Sequence, residues 1–315
     1  MKLAPSGIHL ALAFLIVLHV AVLVAAFLAP YDYAEQHRDY PFAHPMPVRF
    51  SGLRPVVTDP NDPTRTYPVQ WFVNSRLFGV RQPGVMFLLG TDAYGRDVLS
   101  RLLYGAQVSL FTGLLAAFVS LGLGLSLGTI AGYFGGWPDQ LLMRAGEVVL
   151  ALPWLYLLLA ARAWLPLHIS TVETFLLLIL VIGVVGWVRP ARLIRAVVLS
   201  GKEREFVAAA RGFGAPHFYL LRRHILPLTW PTVLTQATVL IPQYILAEVS
   251  LSFLGLGIGE PVPSWGNMLA EGMQYHAMIS HPWMLLPGLA TIPVLLSYLS
   301  LADWVLEPRS GRFWR

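Results

Sequence analysis

The sequence predicts an all-α membrane protein with about six transmembrane helices and a small extracytoplasmic insertion between the first and second helices. Two observations support this fold class. Of the 315 residues, 56% are hydrophobic and only 12% are charged, whereas soluble domains carry about 25% charged residues. Long apolar segments also recur along the chain, and arginine collects in the polar segments between them. Short Arg-rich loops lie on the cytoplasmic side of membrane proteins, which gives an expected orientation.

The first apolar segment, residues 8–29, is long enough to cross a hydrocarbon core of roughly 30 Å, because a helix rises about 1.5 Å per residue. Lys2 precedes it, so we expect the N-terminus to be cytoplasmic. A secretory signal peptide is the alternative, but Pro30 lies where cleavage would be awkward. We therefore interpret residues 1–29 as an N-terminal transmembrane helix.

Residues 30–89 are polar and rich in proline. If the first helix crosses the membrane, this segment is an extracytoplasmic insertion. The alternation of large apolar residues from Tyr67 to Val73 predicts a short strand, and the turn-forming residues at 59–63 predict a small hairpin. The insertion either contacts another extracytoplasmic protein or serves as a spacer, and the sequence leaves both open.

Residues 90–307 contain the other five apolar segments and form the main transmembrane domain. The expected spans are residues 108–134, 140–161, 172–188, 228–254 and 283–306. In the third span, Pro153 predicts a kink. The second span carries small residues at four-residue spacing, which lets a neighbouring helix approach closely in lipid. These small residues are Ser120, Gly124, Gly128 and Gly132.

Six spans place both termini in the cytoplasm. The central polar segment and the tail at residues 308–315 are both rich in arginine, and six crossings bring them to the same side as the N-terminus. Because the arginines lie in loops beside membrane spans, we expect contact with membrane lipid and no binding of nucleic acid. The sequence has no cysteine, which excludes disulfides, cysteine-ligated zinc and thiol catalysis.

Residues 205–227 form the longest polar interruption in the second half of the chain. The alanines at 208–210 favour a helix, and Gly214 followed by Pro216 predicts a helix stop. A second short helix is expected from His217, ending at Pro227. A helix, a glycine turn and a second helix on the cytoplasmic face form a shape that a partner protein can bind. An amphipathic helix resting on the membrane surface is the alternative.

The spacing within this segment is Ala-Ala-Ala at 208–210, three residues, Gly214, nine residues, and His-Ile-Leu-Pro at 224–227. It resembles the EAA loop of permease subunits of bacterial ABC importers, which ends in Ile-x-Leu-Pro. Ala208 replaces the Glu of that pattern, and His224 replaces its first Ile. In the family this loop is the coupling helix that docks on the ATPase subunit. The resemblance implies this role for Glu205, Ala208, Ala209, Ala210, Gly214, Leu226 and Pro227.

Two further stretches are similar to permeases of peptide and nickel importers. Residues 88–110 follow a GTD..GRD...RL.YG.R.SL pattern, with Gln107 where Arg is usual, and residues 248–268 contain E..LSFLGLG and PSWG.M patterns. Asp97 and Arg101 are four residues apart on a predicted helix, so we expect them to pair. Metal binding by Asp92 and Asp97 is the alternative, though no third ligand is evident.

Glu248 lies within the predicted fifth span, where an ionisable side chain is costly and usually faces protein or water. It either faces the translocation pathway or pairs within the core of the permease. The sequence leaves both readings open.

The resemblance implies a permease subunit of an ATP-driven importer for di- or oligopeptides in the bacterial inner membrane. The implied partners are a second, non-identical permease subunit, two ATPase subunits and an extracytoplasmic substrate-binding protein. The chain has no Gly-x-x-x-x-Gly-Lys-Ser/Thr segment, so ATP and Mg²⁺ are assigned to the partner ATPase. The chain is thus not an enzyme by itself, and no catalytic, metal-binding or cofactor-binding residue is assigned to it.

Three alternatives to this function stay open at the level of sequence. An ion-coupled secondary transporter often shows internal repeats, and none is evident here. A permease for nickel or another small solute shares the same motifs. An intramembrane enzyme is the third alternative, and the HExxH and GxSxG motifs are absent from the sequence.

Overall fold

The computed structural model describes residues 5–164 and 170–306, so the predicted cytoplasmic tail at residues 308–315 lies outside the described residues. The helices are α1 (Pro5–Leu23), α2 (Ala25–Leu28), α3 (Val98–Phe134), α4 (Gly136–Ala151), α5 (Trp154–Ala163), α6 (Thr171–Gly186), α7 (Val188–Lys202), α8 (Glu205–Gly212), α9 (His217–Leu220), α10 (Leu226–Phe253), α11 (Trp265–Gly272), α12 (Tyr275–Ser280) and α13 (Leu286–Leu306). The strands are β1 (Arg49–Ser51), β2 (Arg54–Thr58), β3 (Thr66–Pro68), β4 (Gln70–Val73) and β5 (Arg76–Gly79).

Within the described ranges, three helical segments are long and apolar enough to cross a membrane: Val98–Phe134, His217–Phe253 and Pro282–Leu306. The bent pairs α4–α5 and α6–α7 raise this number to five if each pair counts as one span. In α1 the apolar segment is shorter, Gly7–Leu23. The predicted class, an all-α membrane protein, is confirmed, while the count of six spans stays a prediction.

The small residues of α3 allow close packing against α7. A Cβ atom added at Gly128 would lie 2.5 Å from the carbonyl oxygen of Ala191, a backbone atom of α7. Only glycine permits this approach, and the role predicted from the four-residue spacing is confirmed. Ser120, at the start of the stripe, contacts α10 instead, because its Oγ lies 2.8 Å from the Tyr244 hydroxyl.

The predicted third span, residues 140–161, is not one helix. α4 ends at Ala151 and α5 begins at Trp154, and the two axes differ in direction by 97°. Leu152 and Pro153 between them have extended backbones, with ψ of 140° and 123°. The proline ring disfavours helical backbone at the residue before it, so the chain leaves the helix at Leu152. The expected kink is therefore a complete break.

The predicted fourth span, residues 172–188, continues past its expected end. α6 passes into α7 with a bend of 44°, so the first arginines of the expected loop lie on a helix. One side of α7 is buried through Ile194 and Val198. Arg195 on this helix binds Asp139 of α4, with Nη2 and Oδ2 2.6 Å apart.

Pro227 does not end a helix, contrary to the prediction. α9 continues through a π-helical turn, Leu221–Ile225, into α10, so that a helix of 37 residues runs from His217 to Phe253. In a regular helix the proline ring clashes with the carbonyl group four residues earlier. The wider π turn directly before Pro227 moves that carbonyl aside, and the helix passes through the proline.

The insertion folds as two small antiparallel sheets, one ordered β1-β2-β3 and the other β4-β5. The predicted hairpin is present, since β2 pairs with β3 across the turn at residues 59–65. The Asp59 carboxylate holds this turn by accepting hydrogen bonds from the Asn61 N–H (2.9 Å) and the Tyr67 hydroxyl (3.1 Å). The expected strand from Tyr67 to Val73 is divided in two, because β3 ends at Pro68, which has no N–H to donate.

Candidate functional site

α8 ends in a glycine turn that sets the direction of α9. The N–H of Gly214 donates to the carbonyl of Arg211 (3.0 Å), and the N–H of Ala215 donates to the carbonyl of Ala210 (3.1 Å). This pair of hydrogen bonds is a Schellman motif, which needs a left-handed residue directly after the helix. Gly214 has a φ of +80°, so the predicted helix stop is confirmed.

The inner side of this helix–turn–helix is anchored on the ends of α3 and α7. The hydroxyl of Tyr133 at the end of α3 lies 2.7 Å from Nδ1 of His217 in α9, and the ends of α3 and α7 are themselves joined, because the Lys202 ammonium donates to the carbonyl of Gly132 (3.1 Å). These contacts make the segment an extension of the transmembrane domain. The buried residues that form the apolar anchor are Tyr133, Ile194, Val198, Val207, Leu220 and Ile225.

The outer side of the same segment exposes large aromatic side chains. Phe213 is 93% exposed and Phe218 is 73% exposed. Burying a side chain of this size stabilises by about 1.5–3 kcal/mol, so a group of them exposed together on the chain indicates a surface for binding. We call this set of exposed residues the α8–α9 surface. It consists of Arg204, Phe206, Arg211, Phe213, Phe218, Tyr219, Arg222 and Arg223.

The residues that the sequence assigned to coupling lie in and around this surface, with different exposure. Ala210 and Leu226 are half-buried, and Ala210 packs against the apolar anchor. Leu226 begins α10 and its carbonyl accepts a hydrogen bond from the Thr229 hydroxyl (2.7 Å). The others are exposed: Glu205, Ala208, Ala209, Gly214 and Pro227.

Sequence reasoning did not single out the aromatic residues of the α8–α9 surface. In a chain with 16 phenylalanines, one more in a loop does not stand out by residue type. The available signal was position: Phe213 comes directly before the glycine of a predicted helix stop, where a side chain has no helix face to pack on.

Glu248 is enclosed within the chain. Its side chain is fully buried, and Oε1 accepts a hydrogen bond from the Ser252 hydroxyl at 2.6 Å. It lies on the part of α10 that packs against α3 and α11. Within the described residues, Glu248 therefore contacts core neighbours and reaches no surface of this chain.

A cluster of charged side chains, which we call the ion cluster, lies at the start of α3. The guanidinium of Arg101, 1% exposed, donates to Glu260 (Nη2–Oε1, 2.9 Å) and lies 3.4 Å from Asp92. Arg96 donates to Asp92 (Nε–Oδ2, 2.6 Å) and to Glu271 (3.1 Å). These five side chains join the segment before α3, the first turn of α3, the connection after α10, and α11.

The predicted pair of Asp97 and Arg101 is not formed. Asp97 is the N-cap of α3, and its carboxylate accepts hydrogen bonds from the N–H (2.8 Å) and hydroxyl (2.7 Å) of Ser100. Capping holds this carboxylate against its own helix, so Arg101 turns toward Asp92. The alternative of a metal site finds no support in residues 5–164 and 170–306, where no group of three or more candidate ligands is arranged around a point.

The carboxylates of the ion cluster differ in how easily they ionise. Burial raises the pKa of Glu271 to about 7; Arg101 opposes this rise, and the neighbouring Glu260 adds to it. Burial also acts to raise the pKa of Glu260, but Arg101 outweighs it and the pKa is lowered. Burial raises the pKa of Asp97 to about 7, against the hydrogen bonds from Ser100. Glu271 therefore holds a proton up to near-neutral pH.

These features define a multi-pass membrane protein with an exposed helix–turn–helix suited to binding another protein. The chain belongs to the family described as binding-protein-dependent transport system inner membrane component, whose model matches residues 124–310. The family resemblance stated from the motifs is confirmed.

Individual relatives carry transport names. The chain is 39% identical over 203 residues to the dipeptide transport system permease protein DppC of Bacillus subtilis, covering 64% of this chain and 61% of the relative. It is 35% identical over 293 residues to the di/tripeptide transport system permease protein DppC of Pseudomonas aeruginosa, covering 92% of this chain and 82% of the relative. The MetNI methionine ABC transporter, solved in inward-facing conformations, superposes with a TM-score of 0.44 at 17% identity, over 65% of this chain and 95% of that chain.

Proposed function

We propose that this chain is the permease subunit of an ATP-driven importer for di- or oligopeptides, and that its α8–α9 surface docks on a separate ATPase subunit. The observation that carries the proposal is the exposure of Phe213 and Phe218 on a segment that is itself firmly anchored. A rigid element with exposed aromatic side chains and arginines is suited to a groove on a partner. The peptide cargo is supported by the names of the relatives.

The partners follow from the same proposal. A second permease subunit, non-identical to this one, completes the pathway, and an extracytoplasmic binding protein delivers the cargo. Two ATPase subunits bind ATP and Mg²⁺. The chain lies in the bacterial inner membrane with both termini in the cytoplasm, and residues 30–89 form the extracytoplasmic insertion. Within this assembly Glu248 has a core-pairing role, which its complete burial supports.

Mechanically, the anchoring of the α8–α9 surface provides the coupling. α9 and α10 are one continuous helix, and the buried anchor joins α8 to α3 and α7. Movement of the docked ATPase subunits is therefore transmitted directly to transmembrane helices. ATP drives alternating access to the extent that it binds one state of the complex more tightly than the other.

The test is purification of the subunit from native membrane in detergent, with partners identified by mass spectrometry. An ATPase and a second permease co-purify with the wild-type chain, and the ATPase is lost with Phe213→Asp. The matched control is Phe50→Asp in the insertion, also at an exposed phenylalanine (72%), which keeps the ATPase. Recovery of the wild-type chain alone would favour an ion-coupled transporter, and full retention of the ATPase by Phe213→Asp would remove the docking assignment.

Cargo is tested separately by uptake into proteoliposomes that contain the purified complex. Uptake of a labelled dipeptide that requires ATP supports the peptide assignment. ATP-dependent uptake of nickel, with none of peptide, would replace the cargo while leaving the importer class in place.

A further inference from the structure

One side of α1 exposes apolar residues between Leu10 and Leu23, and this surface continues onto the β4–β5 hairpin. Near its end, Val20 is 56% exposed and Leu23 is 63% exposed. Phe27 of α2 follows, and its ring centroid lies 6.3 Å from that of Phe72 in β4. Trp71 is the next residue on the hairpin. The apolar surface thus passes from a membrane helix to a strand of the insertion.

The hairpin exposes two large aromatic side chains that follow each other in β4. Trp71 is 65% exposed, and its ring lies edge-on to that of Phe78 with the centroids 6.5 Å apart. Phe72 is 72% exposed and has a φ of +58°. A bulky residue with positive φ is uncommon and strained. Strain of this kind persists where the arrangement it produces has a use.

Arg76 ties the β4–β5 hairpin to the segment directly after α2. Its Nη1 donates to the carbonyls of Ala29 (2.8 Å) and Tyr31 (2.7 Å), directly after α2. These carbonyls belong to the segment in which the chain leaves the helix. The hairpin therefore cannot move away from the helix end without breaking both charge-assisted hydrogen bonds.

We propose that the β4–β5 hairpin is a membrane-interface anchor, in which Trp71 and Phe72 insert into the headgroup region of the leaflet where α1 ends. We assign lipid as the occupant of this surface because the surface is continuous with the exposed apolar side of α1, which contacts acyl chains when α1 crosses the bilayer. Tryptophan and other amphipathic aromatic rings concentrate at this depth of the bilayer. The proposal rests on α1 crossing the bilayer, and it does not depend on the cargo or the ATPase.

The insertion contains a second hairpin with which the β4–β5 hairpin can be compared. The β1–β2 hairpin also exposes apolar side chains, and Leu53 at its tip is 99% exposed. Leu53 lies in the turn between β1 and β2, in the other sheet of the insertion. It has the apolar character of Trp71 and Phe72 without the hydrogen bonds that tie their hairpin to the end of α1, which makes it a control.

The absence of cysteine from the sequence allows a direct test by single-site labelling. The variants Phe72→Cys, Trp71→Cys, Leu53→Cys and Val20→Cys are labelled with an environment-sensitive fluorophore, in the full chain with its co-purified partners in lipid nanodiscs. Quenching is measured with nitroxide on the lipid headgroup, nitroxide deep in the acyl chain, and iodide in water. Val20 reports the position of α1 in the bilayer.

We expect several-fold stronger quenching by headgroup nitroxide at positions 71 and 72 than at position 53, and strong quenching at position 20 by the acyl-chain nitroxide. Iodide quenching at positions 71 and 72 that equals that at position 53 would overturn the proposal, even if Val20 reports a membrane span. Protection from iodide without quenching by either lipid nitroxide would also overturn it, and would indicate that a protein covers this hairpin.

Discussion

Glu260 lies 2.9 Å from the guanidinium of Arg101, although 159 positions separate the two residues in the sequence. The contact joins the first turn of α3 to the connection between α10 and α11. Arg96 contacts the same glutamate and also Glu271 of α11. The start of α3 is therefore joined to α11 and to the connection before it by two buried arginines as well as by apolar packing.

Removing Arg101 should destabilise the protein strongly. The change Arg101→Gln removes one of the two buried guanidinium groups that balance Asp92 and Glu260 and leaves only Arg96 beside them, and breaking a buried ion pair on one side costs about 3–5 kcal/mol. Because Glu260 is partly exposed, we expect the lower end of that range. The measurement is the apparent Tm of the purified subunit in detergent.

The control for this change is Arg65→Gln. Arg65 pairs with Asp62 on the surface of the insertion, where both side chains are exposed, and such pairs add little. An unchanged Tm for Arg65→Gln and a clear fall for Arg101→Gln are expected. Equal Tm values for the two variants would show that the ion cluster contributes no stability.

Stability should fall as pH rises through neutrality. The folded pKa of Glu271, about 7, lies above the ordinary value of 4.5, so between these values the folded chain binds more protons than the unfolded chain. The stability from this group is complete below about pH 4.5 and is lost as pH rises through about 7. Asp97, whose pKa is also raised to about 7, acts in the same direction. The apparent Tm should therefore decrease from about pH 5 to about pH 8, with most of the change below pH 7.

The variant Glu271→Gln isolates this effect, because glutamine keeps the neutral form at every pH. Its Tm should decrease less over the same pH range, with Asp97 supplying the remaining dependence. Glu203→Gln, at an exposed position, should follow the wild type. A pH profile for Glu271→Gln as steep as that of the wild type would contradict the assignment.

Gly214→Ala should weaken the α8–α9 surface through backbone conformation alone. A Cβ at Gly214 meets nothing within 4 Å, but φ is +80°, and a left-handed backbone costs a non-glycine residue roughly 1–2 kcal/mol. We expect less ATPase to co-purify with this variant. The matched control is Gly212→Ala, two residues earlier in α8 and equally uncrowded, which should keep the ATPase because alanine favours the helix. Loss of the ATPase in both variants would mean that the turn is not the cause.

Gly128→Ala should disrupt the contact between α3 and α7. The added Cβ would meet the carbonyl oxygen of Ala191 at 2.5 Å, and forcing packed backbones apart costs about 1–3 kcal/mol. Gly122→Ala is the control on the same helix, since nothing lies within 4 Å of its Cβ. A lower Tm is expected for Gly128→Ala only, and equal Tm values would contradict the close approach of these helices.

The sequence correctly predicted those structural elements that depend on residues close together in the chain. The turn at Gly214 and the hairpin held by Asp59 depend on residues a few positions apart, and the structure contains both. The helix-packing role of Gly128 was predictable for the same reason, because four-residue spacing places small residues on one side of a helix.

What could not be predicted depends on distant parts of the chain. Arg101 was expected to bind Asp97, its nearest acidic neighbour on the helix. Asp97 instead caps the helix, and Arg101 binds Glu260, which is distant in the sequence. Pro227 was expected to end a helix. The π turn that precedes it relieves the clash between the proline ring and the carbonyl group four residues earlier, so the helix continues. Phe213 is exposed because of the direction in which the Schellman turn leads the chain. That direction cannot be predicted from the residue type at position 213.

If the α8–α9 surface docks as proposed, the continuous helix from His217 to Phe253 acts as a lever arm. Its 37 residues span about 55 Å at 1.5 Å per residue. One end carries the aromatic side chains that face the proposed ATPase, and the other carries Ser252 and the buried Glu248. A tilt of about 5° at the first end displaces the second by roughly 5 Å, about one helical turn. A small tilt near α8 is thus enough to move the far end of α10 past its neighbours by a full row of side chains. A tilt of this size leaves α8 in contact with its anchor.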